Sequence, residues 1–281
     1  MPELPEVETI RRGLSQLIVG KTIERVLVNL PRIIRYPSVG SFEERLVGRR
    51  IESIDRRGKY LLFNVAPYTW ISHLRMEGQY RVAPASEPMA PHTHVVFGLS
   101  DGAELRYRDV RQFGTMDVLT KDEPLPTGLV NIGPEPFDPL LTAQSLYLRL
   151  HKRSSAIKTV LLDQTCIAGL GNIYVDEALF SSGIHPLVSA NQVSEAQCAS
   201  LLVAIRDVLT RAIEAGGSSI RTYVNGYGRH GGFQMQLSVY GRAGEPCFVC
   251  GQPIEKIRLG GRGTHLCSAC QPRTAVVTAG A

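Results

Sequence analysis

The sequence predicts an α+β multidomain fold: an antiparallel β-sandwich with one N-terminal helix, then a helical domain, then a small C-terminal hairpin. Three observations predict it. Short runs rich in β-branched and aromatic residues alternate with turn signals in the N-terminal half. Apolar residues recur at helical spacing between residues 141 and 217, and two Cys-x2-Cys pairs lie near the C-terminus. The 281 residues suffice for two domains, each with its own hydrophobic core.

The chain opens with MPELPEVET, and a first helix is predicted from Leu4 to Val19. Apolar residues recur there at helical spacing, Pro5 is tolerated in a first turn, and Gly20 is a natural stop. The small residue after Met1 predicts removal of that methionine, which leaves Pro2 as a free secondary amine. Two interpretations stay open here: the prolines only shape the entry to the helix, or the Pro2 amine takes part in chemistry.

Five strand segments are predicted after this helix, with no helical pattern between them. Turn signals such as Ser-Asp-Gly at residues 100–102 separate them, which favours an antiparallel sandwich or barrel over residues 1–130. The predicted strand segments are ERVLVNL, KYLLFNVA, TWISHLRMEGQYRVA, THVVFGL and AELRYRDV.

Five prolines in KDEPLPTGLVNIGPEPFDP indicate an interdomain hinge, which we assign to residues 131–141. A helical domain is predicted over residues 142–235, a C-terminal module over 236–272 and a disordered tail over 273–281. The predicted helices lie in LTAQSLYLRLHKR, SAIKTVLLDQ, GNIYVDEALFSSG and SEAQCASLLVAIRDVLTRAIEAGG, the last with a Ser194–Gln197 capping box.

The strongest chemical signal is a pair of Cys-x2-Cys motifs separated by sixteen residues, which predicts one structural Zn²⁺ at the base of a β-hairpin. The four predicted ligands are Cys247, Cys250, Cys267 and Cys270. The alternative is a pair of redox dithiols. Residues 260–263 are predicted to form the hairpin turn, where Arg262 either approaches a phosphate or is an ordinary surface arginine. Cys166 and Cys198 lie outside the motif and are predicted to be core residues.

The charge balance permits a polyanionic partner without requiring one. The chain carries 31 basic and 26 acidic residues, a net charge of +5. Basic residues cluster between Arg149 and Tyr174, where Gly169-x-Gly171 leads into a helix beginning near Asn172 whose free amides can bind an anion. Tyr174 stands where a dinucleotide motif has its third glycine. A helix-turn-helix region facing phosphate and a plain helical hairpin both remain open.

Four further residues lie near predicted strand ends. Lys59 follows a tight turn, and it either extends outward to solvent or points into a site with a negative partner. Met76, Arg111 and Phe113 combine apolar side chains with an arginine, a set that can wedge into a base stack, although each apolar residue can equally belong to the core. We find no leader and no run of about 18 apolar residues, so we expect a cytoplasmic protein without a membrane partner.

From Pro2 to about Gln271 these motifs resemble the bacterial formamidopyrimidine-DNA glycosylase family, also called 8-oxoguanine DNA glycosylases and AP lyases. The motifs are MPELPEVET, RRGKYLL, SHLRMEG, IGPEP, GLGNIYVDEALF, GIHP, VYGR and the cysteine hairpin with GGRGTH. The resemblance implies a β-sandwich, a helix–two-turn–helix domain and a zinc finger, with DNA bound in the cleft between them. It also implies a monomer that is nucleoid-associated when bound to duplex DNA containing oxidised purines or abasic sites.

The resemblance implies that Pro2 attacks the anomeric carbon, expels the damaged base and forms an iminium from which β- and δ-elimination follow. A terminal amine has a pKa of about 8, against about 10.4 for lysine, so far more of the terminal amine is neutral at pH 7. Glu3 corresponds to the acid/base residue and Glu6 is expected to position the terminus. Lys59 is implied in β-elimination and phosphate contact, and Arg262 in contacts with the phosphates flanking the lesion and in δ-elimination.

The resemblance further implies DNA contacts at His92, Arg111 and Asn172, with His73 and Lys158 near phosphates. A further basic contact falls in HKRSS, where either Arg153 or Ser154 aligns. Met76, Arg111 and Phe113 are implied to fill the gap left by the everted nucleotide, with Arg111 facing the estranged cytosine, and residues 216–232 to cap the everted base.

Two alternatives remain. One is an endonuclease VIII-like glycosylase, which prefers oxidised pyrimidines, and the other is a non-catalytic DNA-binding zinc-ribbon protein. Met76, Arg111 and Phe113 favour the purine branch over the first alternative. Pro2, Glu3 and Lys59 argue against the second.

Overall fold

The computed structural model describes residues 1–218 and 231–273. Most of the predicted capping segment, and all but the first residue of the predicted tail, lie outside these described residues. The chain divides into two compact units, each described by itself. The first comprises the described residues of Met1–Asn131 and Ala212–Gln234, and the second those of Ile132–Arg211 and Met235–Ala281.

The first unit contains three complete α-helices and nine strands within its described residues. The helices are α1 (Leu4–Ile18), α2 (Val39–Leu46) and α3 (Thr127–Val130). The strands are β1 (Ile23–Val28), β2 (Ile34–Tyr36), β3 (Ser53–Arg57), β4 (Tyr60–Val65), β5 (Tyr68–His73), β6 (Gln79–Pro84), β7 (Thr93–Leu99), β8 (Ala103–Arg108) and β9 (Thr115–Thr120).

Two sheets form the predicted β-sandwich. One has the strand order β1-β7-β8-β6 and the other β2-β9-β5-β4-β3. Their inner faces share one core, in which the Trp70 ring stacks on Phe63 of its own sheet at 4.0 Å and contacts Phe97 of the other sheet at 4.3 Å between centroids. Helix α1 adds Val7 and Ile10 to this core, so the predicted first helix is confirmed.

The first unit also departs from the predicted strand pattern. Helix α2 was not predicted: its only signals are Ser38, whose hydroxyl accepts from Ser41 N at 3.4 Å, and two buried apolar side chains, Phe42 and Leu46. The segment TWISHLRMEGQYRVA is two strands in different sheets, since the turn at Leu74–Gly78 divides it. Strands β2, β3 and β9 were missed, and the β2–β9 pairing is parallel in an otherwise antiparallel sandwich.

The second unit is helical and ends in a hairpin. It contains α4 (Ala143–Leu150), α5 (Ile157–Leu162), α6 (Asn172–Ser181), most of α7 (Glu195–Glu214), β10 (Glu255–Leu259) and β11 (Arg262–Leu266). The predicted capping box at the start of α7 is confirmed: Ser194 N donates to Gln197 Oε1 at 2.9 Å, and Gln197 N donates to Ser194 Oγ at 3.2 Å. Among the described helices, none has the length and apolar content needed to cross a membrane.

Candidate active site and metal centre

The N-terminal segment is held by the carboxylate of Glu6, and Pro2 lies buried at its start. Glu3 N donates to Glu6 Oε2 at 2.8 Å, and Ser218 N donates to Glu6 Oε1 at 2.7 Å. Glu6 therefore fixes the backbone beside Pro2, as predicted, and ties it to the residues after α7. Gly217 makes this approach possible, because a Cβ there would lie 3.1 Å from the Glu6 side chain and its φ is +81°. The contact with Ser218 has no local sequence signal.

The turn that carries Lys59 is anchored to α1 through Arg56. Arg56 Nη1 donates to Gly58 O at 3.0 Å, and Arg56 Nε donates to Glu8 Oε2 at 3.2 Å. Burial alone would raise the pKa of Glu8, but hydrogen bonds from Arg11 and Arg12 and the charge of Arg56 outweigh it and lower the pKa to about 2. Lys59 is itself largely buried. The Glu8 cluster was not predicted, although the arginines three and four residues after Glu8 are its sequence signal.

His73 lies near Lys59 and is neutral at physiological pH. Burial lowers the pKa of His73 to about 3, and the positive charges of Arg75 and Lys59 act in the same direction. Arg75 N donates to His73 Nδ1 at 2.9 Å, so the neutral ring carries its proton on Nε2. His73 can thus donate one hydrogen bond to a phosphate but brings no charge to it.

Loops of the first unit expose Met76, His92, Arg111 and Phe113, which are the other DNA contacts predicted in this unit. Met76 is 36% exposed and Phe113 is 54% exposed, so neither is a core residue. The Arg111 guanidinium lies 5.0 Å from the centroid of the Phe113 ring, and His92 is exposed with a φ of +66°. The side chains of Met76 and Phe113 are therefore open to solvent, and the Arg111 guanidinium lies over the Phe113 ring.

The four predicted metal ligands come together in the second unit. The Sγ atoms of Cys247, Cys250, Cys267 and Cys270 all lie within 4.8 Å of one another, and all four cysteines are free of disulfides. Sulfurs about 2.3 Å from one zinc ion are about 3.8 Å apart in a tetrahedron, which these positions fit. The Cys247–Cys270 and Cys250–Cys267 pairs are 3.9 and 3.4 Å apart. The site therefore fits one structural zinc ion. Cys166 and Cys198 are buried, as predicted.

The hairpin between the two cysteine pairs is held by hydrogen bonds to the backbone of Gly263. The turn is formed by Gly260 and Gly261, and exposed Arg262 begins β11 instead of lying within the turn. Gly263 O accepts from Asn172 Nδ2 at 2.9 Å and from Lys158 Nζ at 3.1 Å. The hairpin strand is thus joined to the starts of α5 and α6.

Lys158, which is predicted to lie near a phosphate, is buried in the second unit. Its side chain is 0% exposed, and Nζ donates to Asp176 Oδ1 at 2.6 Å. His265 N donates to Asp176 Oδ2 at 2.9 Å, so Asp176 joins the lysine to the hairpin. Lys158 and Asp176 therefore help to hold the hairpin, and the contact of Lys158 with a phosphate stays a prediction.

Arg153 forms an ion pair with Asp163 at 2.6 Å and also donates to Thr165 Oγ1 at 3.1 Å. Burial works against ionisation of Asp163, but hydrogen bonds from Thr165 and Arg153 outweigh it and lower its pKa. The Arg153 side chain is 41% exposed, so a phosphate there would compete with Asp163 for the guanidinium.

These features define a zinc-finger protein of the nucleic-acid-binding class. They are the cysteine-held hairpin, the helical unit, and the sandwich whose loops expose cationic and apolar residues. Family models match residues 1–116 as the formamidopyrimidine-DNA glycosylase N-terminal domain, 132–224 as its H2TH domain, and 244–273 as the zinc finger found in FPG and IleRS. The chain belongs to the formamidopyrimidine-DNA glycosylase family and is a DNA repair glycosylase with a zinc finger.

Individual relatives cover nearly the whole chain. It is 50% identical over 272 residues to the formamidopyrimidine-DNA glycosylase of Enterococcus faecalis (96% of this chain, 97% of the relative). It is 53% identical over 273 residues to that of Halalkalibacterium halodurans (96% and 100%). A Lactococcus lactis Fpg mutant bound to Fapy-dG-containing DNA superposes with a TM-score of 0.91 at 44% identity (96% and 100%). The L. lactis Fpg complex with abasic-site DNA gives 0.90 at 44% identity (96% and 99%).

Proposed function

We propose that this chain removes oxidised purines, namely 8-oxoguanine and formamidopyrimidines, from duplex DNA and then cleaves the resulting abasic site by β- and δ-elimination. The observation that carries the proposal is the N-terminal segment, where Pro2 is followed by a buried Glu3 whose amide is fixed by Glu6. Membership of the glycosylase family supports it, as do the DNA complexes of the L. lactis protein with Fapy-dG and with an abasic site.

Pro2 is the proposed nucleophile once Met1 has been removed. Met1 is 44% exposed, which favours its removal. The amine lone pair forms a bond to C1′ while the bond from C1′ to the base breaks, and the departing base takes up a proton. Because an N-terminal amine has a pKa of about 8, about a tenth of it is neutral at pH 7. A secondary amine then gives a positively charged iminium when the sugar ring opens.

The iminium acts as an electron sink for the two eliminations. It acidifies the proton on C2′, whose removal expels the 3′ phosphate, and a second elimination expels the 5′ phosphate. Glu3 is the proposed group that moves protons at the sugar. Lys59 and Arg262 are proposed to contact the flanking phosphates, with Lys59 acting in β-elimination and Arg262 in δ-elimination.

Binding of the duplex is proposed to use the exposed loop residues of the first unit together with the hairpin and helix start of the second. Exposure of Met76 and Phe113, and the stacking of Arg111 on Phe113, support their insertion beside the everted nucleotide. The same three residues favour purine lesions over the oxidised pyrimidines preferred by endonuclease VIII-like glycosylases. His92, Asn172 and Arg153 are proposed phosphate or sugar contacts.

Single-turnover excision on two duplexes tests the proposal. We expect efficient cleavage of an 8-oxoguanine:cytosine duplex, with a borohydride-trapped protein–DNA adduct, and much slower cleavage of a thymine glycol duplex. Faster excision of thymine glycol would move the protein to the pyrimidine branch. Binding of the lesion duplex without any strand cleavage would leave a DNA-binding role without the lyase chemistry.

A further inference from the structure

Three loops of the first unit carry the exposed residues proposed to contact DNA. They are the turn that carries Met76, the segment at His92, and the turn that carries Arg111 and Phe113. Backbone groups of all three loops lie against the same buried pair of residues, Tyr107 and Asp109. Neither of these two residues is proposed to contact DNA.

Asp109 organises the turn that carries Arg111 and Phe113, and it is 0% exposed. Its Oδ1 accepts from Arg111 N at 3.1 Å, and its Oδ2 accepts from Gly114 N at 2.8 Å. The backbone of Asp109 also holds the His92 segment, because Asp109 N donates to His92 O at 3.1 Å. One residue therefore fixes two of the three loops.

Tyr107 links this turn to the loop that carries Met76. The Tyr107 hydroxyl lies 3.4 Å from Asp109 Oδ2, at the outer limit of a hydrogen bond. The same hydroxyl lies between two glycine backbones, since a Cβ added at Gly78 would be 2.4 Å from it and one added at Gly114 would be 1.7 Å from it. Gly78 closes the Met76 loop by donating to Leu74 O at 2.9 Å.

The chemistry of the pair favours a fixed arrangement. Burial raises the pKa of Tyr107 well above its usual value, and the charge of Asp109 acts in the same direction, so the phenol keeps its proton. The two carboxylate oxygens of Asp109 serve different backbone amides. An asparagine of the same shape must therefore turn its NH₂ group toward one of those two N–H groups and lose that bond.

We propose that Tyr107 and Asp109 are positioning residues that hold the Met76 loop and the Arg111–Phe113 turn in one fixed relation, and that this relation sets discrimination of the base opposite the lesion. The inference rests on the proposed function. It predicts that disturbing the pair changes opposite-base selectivity more than it changes lyase chemistry at the sugar.

The experiment compares Asp109→Asn and Tyr107→Phe with Tyr80→Phe as a matched control. Tyr80 is equally buried, its ring lies 5.0 Å from that of Tyr107, and its hydroxyl donates to Ser72 Oγ in strand β5 at 2.8 Å. Each protein is assayed in single turnover on 8-oxoguanine opposite cytosine, on 8-oxoguanine opposite adenine, and on a preformed abasic site.

We expect the cytosine-to-adenine rate ratio to fall about tenfold in Asp109→Asn and about threefold in Tyr107→Phe, the range that loss of a buried hydrogen bond allows. The ratio in Tyr80→Phe and all abasic-site cleavage rates should match those of the unaltered protein. A partly unfolded variant lowers both rates equally, so the ratio still reports selectivity. Unchanged ratios in both variants, or an equal fall in Tyr80→Phe, would overturn the inference. If the unaltered protein excises no 8-oxoguanine, the proposed function itself fails.

Discussion

The N-terminal segment and the cysteine-held hairpin are both short pieces of chain that carry proposed catalytic residues. They are held in place by different interactions. The N-terminal segment begins a helix that buries Val7 and Ile10 in the large sandwich core, and backbone hydrogen bonds to Glu6 complete it. Around the cysteines, the part of the chain that the structure describes has a small core cluster of four buried residues, two of them cysteines. The four metal ligands therefore hold the two ends of the hairpin segment together. The buried Lys158–Asp176 pair joins the hairpin to helices α5 and α6 of the same unit.

The difference shows that the size of the nearby hydrophobic core determines which interactions are needed to hold a segment rigid. The N-terminal segment packs on the core formed by both sheets of the sandwich. Burial of its apolar side chains holds it there, and the polar groups only orient it. A hairpin of this size cannot bury enough apolar surface, so metal coordination replaces it. Perturbing the metal should therefore affect the hairpin and leave the sandwich intact, while changes at the N-terminal segment should affect chemistry and leave DNA binding intact.

Loss of zinc should give the largest effect. Removing the metal, or Cys250→Ser, should abolish DNA binding, because structural zinc contributes on the order of 10 kcal/mol to folding of small zinc domains. Trp70 is the single tryptophan of the chain and lies in the sandwich core, so its fluorescence should stay native. DNA binding by fluorescence anisotropy and metal content by stoichiometric analysis check this. Active protein without zinc would contradict a structural role for the metal. Loss of the native Trp70 fluorescence together with the metal would show that the sandwich also depends on zinc.

Glu3→Gln should slow base excision by about a hundredfold to ten thousandfold, the usual contribution of a general acid–base group. Affinity for the damaged duplex should stay near that of the unaltered protein, because the hairpin and exposed loops are unchanged. Single-turnover rates and equilibrium binding measure the two effects. Glu24→Gln, at an exposed position on β1, is the control and should change neither. A parallel loss of rate and affinity in Glu3→Gln would contradict a purely chemical role.

Lys158→Met should destabilise the second unit by about 3 kcal/mol or more, because it leaves a buried Asp176 carboxylate without its cation. Arg153→Met removes a partly exposed ion pair and should cost less than about 1 kcal/mol. Chemical denaturation of the zinc-loaded protein measures both changes. Equal costs for the two variants would mean that burial of the Lys158–Asp176 pair does not matter to the hairpin.

Arg262→Ala should give the smallest effect, a reduction of about one unit in the slope of log affinity against log salt concentration. His73→Gln is the matched comparison. Because the pKa of His73 is about 3, the ring is neutral and its loss should leave the slope unchanged between pH 6 and pH 8. An unchanged slope in Arg262→Ala would remove Arg262 from the phosphate backbone.

Local patterns explain what the sequence could predict. The first helix, strand β7 and the capping box at Ser194 each have a signal within one segment, and the cysteine spacing is a motif in itself. Helix α2, whose signals are Ser38 and the two buried side chains Phe42 and Leu46, was missed. The parallel β2–β9 pairing joins Ile34 to Met116, a non-local contact that no periodicity encodes.

The candidate site shows the same division. Pro2, Glu3 and the cysteines are recognisable from their motifs, whereas the partners that fix them come from distant segments. Ser218 reaches Glu6 across 212 positions, and Lys158 reaches Gly263 across 105. The burial of Lys158 does have a local sequence signal, namely its place in the apolar helix segment AIKTVLL.

The central claim is that the Pro2 nitrogen is the nucleophile, and borohydride trapping on an 8-oxoguanine:cytosine duplex tests it most directly. Protein that has lost Met1 should form an adduct that peptide mapping locates at Pro2. Protein that retains Met1 should form none and cleave far more slowly, because a Met1–Pro2 amide nitrogen has no nucleophilic lone pair. Pro2→Gly, which keeps only a primary amine, should also lose rate steeply. Cleavage at the full rate with the same adduct in Met1-retaining protein would contradict the account and make Lys59 the leading candidate.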